Sequence, residues 1–220
     1  LILRSYPSDI GLQPDGADRS ADSPANLDGT VFSVAIRGRY FWTLSISYLF
    51  VMLAQVGGIA HQYGIIAYHL DASLTAYGLA VLPLFSILGR LAGGFIIDRV
   101  STSRFTVFMM LMQSVALGLM AVAPGSIVIL AALAMFGITV GNLLMLQPLL
   151  VAEVYGLISY SRIYSWSNFV TIVGIAIGPA LMGYLATIDE TYSFSFLAAA
   201  LSGLLACCIF VLGRRSDSGG

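Results

Sequence analysis

Six long apolar runs decide what this chain can fold into. They are roughly Tyr40–Ala60, Leu74–Ile97, Phe105–Val122, Ile127–Leu150, Ile163–Leu185 and Phe194–Leu212. Each holds roughly 18–25 residues, and a helix rising about 1.5 Å per residue needs about 20 to cross a hydrocarbon core about 30 Å thick. Hydrocarbon offers no partner to a bare N–H or C=O, so the crossing segments must satisfy themselves as helices. The expected fold class is an all-α membrane protein with six transmembrane helices. Composition agrees: of 220 residues, 58% are hydrophobic and only 10% charged. Soluble domains carry roughly 25% charged residues, so this chain has too few to cover a water-facing surface.

The arginines orient the runs. All ten cationic side chains are arginine. Arg37 and Arg39 precede the first run, Arg99 and Arg104 follow the second, Arg162 follows the fourth, and Arg214 and Arg215 follow the sixth. Six crossings put all of these on one side, while His61, His69, Asp71, Asp189 and Glu190 fall on the other. The positive-inside rule makes the arginine side cytoplasmic, with both termini there. Trp42, Trp166, Tyr160 and Tyr164 lie near that face, as an interfacial aromatic belt would. Residues 1–38 are rich in Asp, Ser, Pro and Gly and contain no signal-peptide-like apolar core, so they read as a polar cytoplasmic linker or tail. Residues 39–213 form the bundle and 214–220 a second cytoplasmic tail. A polar start at Leu1 without methionine reads as a piece beginning inside a longer protein. A net charge of −1 makes no case for nucleic acid.

Within the second run, Arg90 lies eight residues before Asp98, about 12 Å from the run's end. A charge at that depth costs at least about 2.5–3.5 kcal/mol, so it faces a cavity, a partner or a substrate. Guanidinium matches a carboxylate bidentately and stays charged in a dry site. The competing reading is a structural arginine bonded to helix carbonyls or to an acid outside this chain. Gln55, Ser86, Asn142, Gln147 and Asn168 are polar positions within the runs. They either bond between helices or, for Gln55, Asn142 and Asn168, line a solute pathway. Gly89 with Gly93, Gly137 with Gly141, and Gly174 with Gly178 are small-xxx-small pairs for close helix contact. Pro83, Pro148 and Pro179 should bend their helices. His61 and His69 read as solvated surface residues, and adjacent Cys207 and Cys208 as apolar filler. Nucleophile elbow, zinc-histidine and phosphate-loop motifs are all absent from the sequence, so an enzyme, a metal site and a cofactor are not expected.

The stretch GRLAGGFIIDRVSTSR, Gly89 to Arg104, resembles the signature loop of the major facilitator superfamily, G-x-x-x-D-R-x-G-R-R. Gly94, Asp98 and Arg99 match; Ser101, Thr102 and Ser103 replace the glycine and basic pair, and Arg104 comes one place late. The resemblance covers roughly Arg37 to Arg215 and implies one half of a twelve-helix bundle. RGRYFW resembles the central linker entering helix seven. The run ending at Ala152-Glu153 resembles helix ten. GIAIGPALMGYL, containing Gly174, Gly178, Pro179 and Gly183, resembles helix eleven. These features place the chain as the carboxyl-terminal half, with an amino-terminal six-helix half as its missing partner. The resemblance gives Gly94, Asp98, Arg99 and Arg104 a gating role at the cytoplasmic end. Gly89-Arg90 most resembles the monocarboxylate and oxalate/formate branch, where an arginine on helix eight meets the substrate carboxylate. The implied function is secondary active transport of a small solute, an organic anion such as a monocarboxylate, by alternating access across a plasma or bacterial inner membrane. The alternative is a non-transporting membrane scaffold or an inactive half-transporter.

Overall fold

The computed structural model describes residues 29–123, 125–189 and 191–214. The expectations for residues 1–28, Glu190 and 215–220 lie outside the described residues. Eight helices follow in order: α1 (Phe32–Ala35), α2 (Arg39–Ala60), α3 (Gln62–His69), α4 (Ala72–Ile97), α5 (Thr102–Ala121), α6 (Ser126–Tyr155), α7 (Tyr160–Ala186) and α8 (Ser193–Arg214). Six of them, α2 and α4 through α8, are long and apolar enough to cross a membrane. They coincide with the six runs but extend beyond them; α6 continues past Leu150 through Glu153. Interfacial residues outside the hydrocarbon keep the backbone helical without adding apolar length. Pro83, Pro148 and Pro179 are all accommodated inside helices.

Contacts at the helix ends establish an up-and-down arrangement. At one end Thr30 N–H donates to the Tyr155 carbonyl at 2.7 Å, the Arg162 guanidinium lies 4.3 Å from the Phe32 ring centroid, and Thr102 bonds Glu153. This end gathers the starts of α2, α5 and α7 and the finish of α6. At the other end His69 Nε2 lies 3.2 Å from the Ala123 carbonyl oxygen, and Ser126 Oγ donates to the His69 carbonyl at 2.8 Å. The residues just before α2 are not free chain. Gly29 bridges Gly156, α1 rests on Arg162 and Trp166, and Trp42 Nε1 donates to the Ile36 carbonyl at 2.9 Å.

The packing exchanges helices between two three-helix units, α2, α4 and α5 in the first half of the chain and α6, α7 and α8 in the second. α4 lies against α6, α7 against α2, and α5 and α8 join the units to each other. Bulky apolar side chains fill two core clusters, one including Phe41, Tyr48 and Phe210, the other Ile66, Phe136 and Phe196. Burial is uneven: 61% of the apolar window of α2 is buried, against 22% for α4 and for α7. Leu84, Ile87, Leu91 and Phe95 on α4 are exposed, as are Trp166, Phe169, Val173 and Ile177 on α7. Each set recurs at helical spacing and forms one uncovered stripe.

Candidate functional site

Glycines let α4 and α6 meet backbone to backbone. A Cβ at Gly89 would stand 2.7 Å from Ile138 Cα, and one at Gly137 only 2.5 Å from the Leu82 carbonyl oxygen. Gly93 leaves its space to the Asn142 amide, and Gly141 faces the Ser86 carbonyl. The other pair is built alike: Gly174 faces the Leu49 carbonyl, Gly178 that of Leu53, and a Cβ at Gly57 would be 3.0 Å from the Gly178 carbonyl oxygen. Without a strong hydrophobic drive between helices in lipid, such close approach supplies the packing attraction. Pro179 adds its carbonyl oxygen, 3.0 Å from His61 Nε2.

Arg90 leaves this glycine seam. Its aliphatic stem crosses Gly141, while its side chain is exposed on the bundle face. It makes no hydrogen bond or ion pair with a described residue, so the helix-carbonyl alternative is not realised within this bundle. Arg90 lies roughly 10 Å from the Ile97 end of α4 and roughly 27 Å from Ala72, so it sits nearer the arginine-bearing end of the helix than its middle. Beside it, toward the arginine-bearing end, is a groove of about 200 Å³ lined by Gly93, Gly94, Ile97, Met145 and Leu149, with Asn142 as its one polar wall. Gly94 keeps that wall low, with nothing within 4 Å of the place a Cβ would take.

The other pathway candidates fall in different settings. Asn142 is 2% exposed, and its Nδ2 donates to the carbonyls of Gly89 and Ile138, each at 2.9 Å. Its amide is therefore an interhelical tie, while the residue also forms the polar wall of the groove beside Arg90. Gln55 is 1% exposed, toward the far end of α2, and its Oε1 has no partner among the described residues. Packing closes it off from a pathway. Asn168 is half-buried on α7, about 12 Å from that helix's start. Beside Asn168 lies a network that sequence reading met only in part. Gln147 Nε2 donates to Ser167 Oγ at 3.1 Å and Thr171 Oγ1 at 2.9 Å, and Ser45 Oγ donates to Ser167 Oγ at 2.9 Å. Gln147 had been singled out; Ser45, Ser167 and Thr171 had not, since small hydroxyl residues commonly bond their own helix turn.

At the arginine-bearing end, Asp98, Arg99 and Arg104 are exposed and form no ion pair with described residues. The loop's anchor is Thr102, buried and hydrogen-bonded to Glu153. At the opposite end the histidines are half-buried, which corrects their expected solvation. His69 bridges the Ile65 and Ala123 carbonyls at 3.0 and 3.2 Å, and the His61 ring lies tilted against that of Tyr192 at 6.1 Å between centroids. Tyr192 adopts φ 63°, a left-handed conformation, and its ring fills the space above Gly64. Asp189 organises the turn before α8. It accepts from Thr191 Oγ1 at 2.7 Å, Thr191 N at 3.0 Å and Phe194 N at 3.3 Å. Those donors hold its carboxyl below the usual carboxylate range, the Thr191 hydroxyl contributing most. Cys207 is buried and Cys208 exposed.

Known proteins share this architecture. A benzoate transport protein of Acinetobacter baylyi is 26% identical over 178 residues, 80% of this chain but 37% of that protein. A crystal structure of an E. coli fucose:proton symporter variant superposes with a TM-score of 0.72 at 18% identity, over 83% of this chain and 46% of that one. The chain thus spans less than half the length of either. The sequence matches the Major Facilitator Superfamily over residues 43–219, from the second turn of α2 through the other five spanning helices, and the chain belongs to that family.

Proposed function

We propose that this chain is the carboxyl-terminal half of a secondary active transporter for a small organic anion, with Arg90 as the carboxylate contact. The observation that carries this reading is an arginine inside a spanning helix with no hydrogen-bond or ion-pair partner among the described residues. Desolvating such a charge is tolerable only if something outside the bundle meets it. The adjoining groove is almost wholly apolar, which suits the carbon body of a monocarboxylate better than a compact inorganic anion. Asn142, on the wall of that groove, and Asn168 are the further polar candidates along the pathway. The uncovered stripes on α4 and α7 fit against an amino-terminal six-helix half, and rocking of the two halves would give alternating access. Asp98, Arg99 and Arg104, which form no ion pair with described residues, are then available for gating contacts with the other half. By the positive-inside rule their end is cytoplasmic, in a plasma or bacterial inner membrane.

The test is uptake of a labelled monocarboxylate panel, benzoate included, by proteoliposomes holding the protein as the cell makes it. Arg90→Lys and Arg90→Ala should both lose most uptake, since lysine keeps the charge but not the bidentate fork. Both should still insert, and both should lose thermal stabilisation by the carboxylate. Arg90→Ala with unchanged substrate stabilisation would refute the site. Loss of expression of Arg90→Ala would instead favour a structural pair with an acid of the other half, and with it the scaffold reading.

A further inference from the structure

Whether Arg90 can serve an anion depends on where its guanidinium is aimed, and α6 holds the means of aiming it. On a helix, χ1 near +60° collides with the preceding turn, which leaves two wells for the stem. The chosen well carries Arg90 Cγ across Gly141, where a Cβ would stand 2.9 Å away. That is closer than carbon atoms pack, so a side chain at Gly141 must displace the flexible stem, as well as press on the Ser86 carbonyl, which lies closer still. One residue on, Asn142 Nδ2 donates to the carbonyl of Gly89, the residue before Arg90, at 2.9 Å. It thereby fixes the depth and rotation of α4 at that level.

We propose that Gly141 and Asn142 are positioning residues for Arg90, Gly141 by leaving a notch for its stem and Asn142 by locking the α4 backbone beneath it. The inference rests on the reading of Arg90 as the carboxylate contact. A built-in control separates positioning from packing. Gly137, one turn away on the same seam, meets the Leu82 carbonyl at 2.5 Å and Phe85 Cβ at 3.0 Å, but not Arg90. An added methyl at Gly137 or at Gly141 strains the same helix pair, and only at Gly141 does it touch the arginine.

The experiment measures KM, maximal rate and thermal unfolding for Gly141→Ala, Gly137→Ala, Asn142→Leu and Arg90→Ala in proteoliposomes, with benzoate as probe, or the best-transported monocarboxylate of the panel if benzoate is not carried. Gly141→Ala and Asn142→Leu should raise KM about tenfold or more, the scale of one lost charge-assisted hydrogen bond. Gly137→Ala should lose comparable thermal stability with KM changed less than about twofold. Equal KM values for the two glycine variants, with transport lost in Arg90→Ala, would overturn the positioning role and leave the Arg90 reading standing. If Gly141→Ala does not fold, an unchanged KM in Asn142→Leu overturns it alone. Normal transport by Arg90→Ala, or no monocarboxylate uptake by the unaltered protein, overturns both.

Discussion

Asn142 on α6 hands its side-chain amide to the backbone of Gly89 on α4, 2.9 Å away and one residue before Arg90. The seam that lets two helices touch thus lies directly beside the exposed charge of Arg90. Glycine packing, a polar tie and the candidate anion contact occupy two turns of one helix pair, so stability and specificity there are coupled.

The contrast between neighbouring glycines gives a stability prediction. Gly93→Ala must displace the Asn142 amide and should cost about 1–3 kcal/mol, from overpacking and a lost hydrogen bond. Gly94→Ala meets nothing within 4 Å and should stay within about 0.5 kcal/mol. Thermal unfolding in detergent measures both, and equal losses would contradict the contact geometry.

Gln147 joins α6 to α7 through Ser167 and Thr171. Gln147→Leu keeps the volume and removes both bonds. Interhelical bonds in membranes average about 0.6 kcal/mol and reach about 1.7, so a loss within that range is expected. Unfolding in a graded detergent mixture reads it; a variant as stable as the parent would show the network to be energetically idle.

Sidedness can be read with cysteine labels in a background lacking Cys207 and Cys208. Ser101 and Thr187 are exposed at opposite ends of the bundle. Single cysteines there should react with a membrane-impermeant maleimide from opposite sides, Ser101 from the cytoplasm. Labelling of both from one side would be incompatible with six crossings.

The Asp189 turn should respond to acid. Its folded-state pKa is lowered, so its contribution is fully present above the ordinary carboxylate value of about 3.9 and is lost as pH falls through the lower folded value. Amide exchange at Thr191 and Phe194 should therefore stay slow at neutral pH and, once corrected for intrinsic rates, quicken only in strong acid. Asp189→Asn should weaken that protection at neutral pH and flatten its pH dependence.

Hydropathy alone determined the number and the approximate placement of the spanning helices, because a bilayer admits few solutions for a long apolar segment. The glycine pairs and Arg90 were equally legible, each being anomalous for its surroundings. Partnership was not. That Asn142 ties α4 while Gln147 ties α7 depends on which helices are neighbours, and the exchange of α4 and α7 between the two three-helix units has no local signature. The short helices α1 and α3 escaped notice because neither is long or apolar enough to stand out. His61 and His69 were read as solvated for the same reason: a polar side chain in a connecting segment declares its chemistry, but only tertiary packing decides which carbonyl it meets. Arg90 shows both sides at once. Sequence marks it as a charge inside an apolar run, and the fold shows its stem passing over Gly141, where no side chain stands in the way.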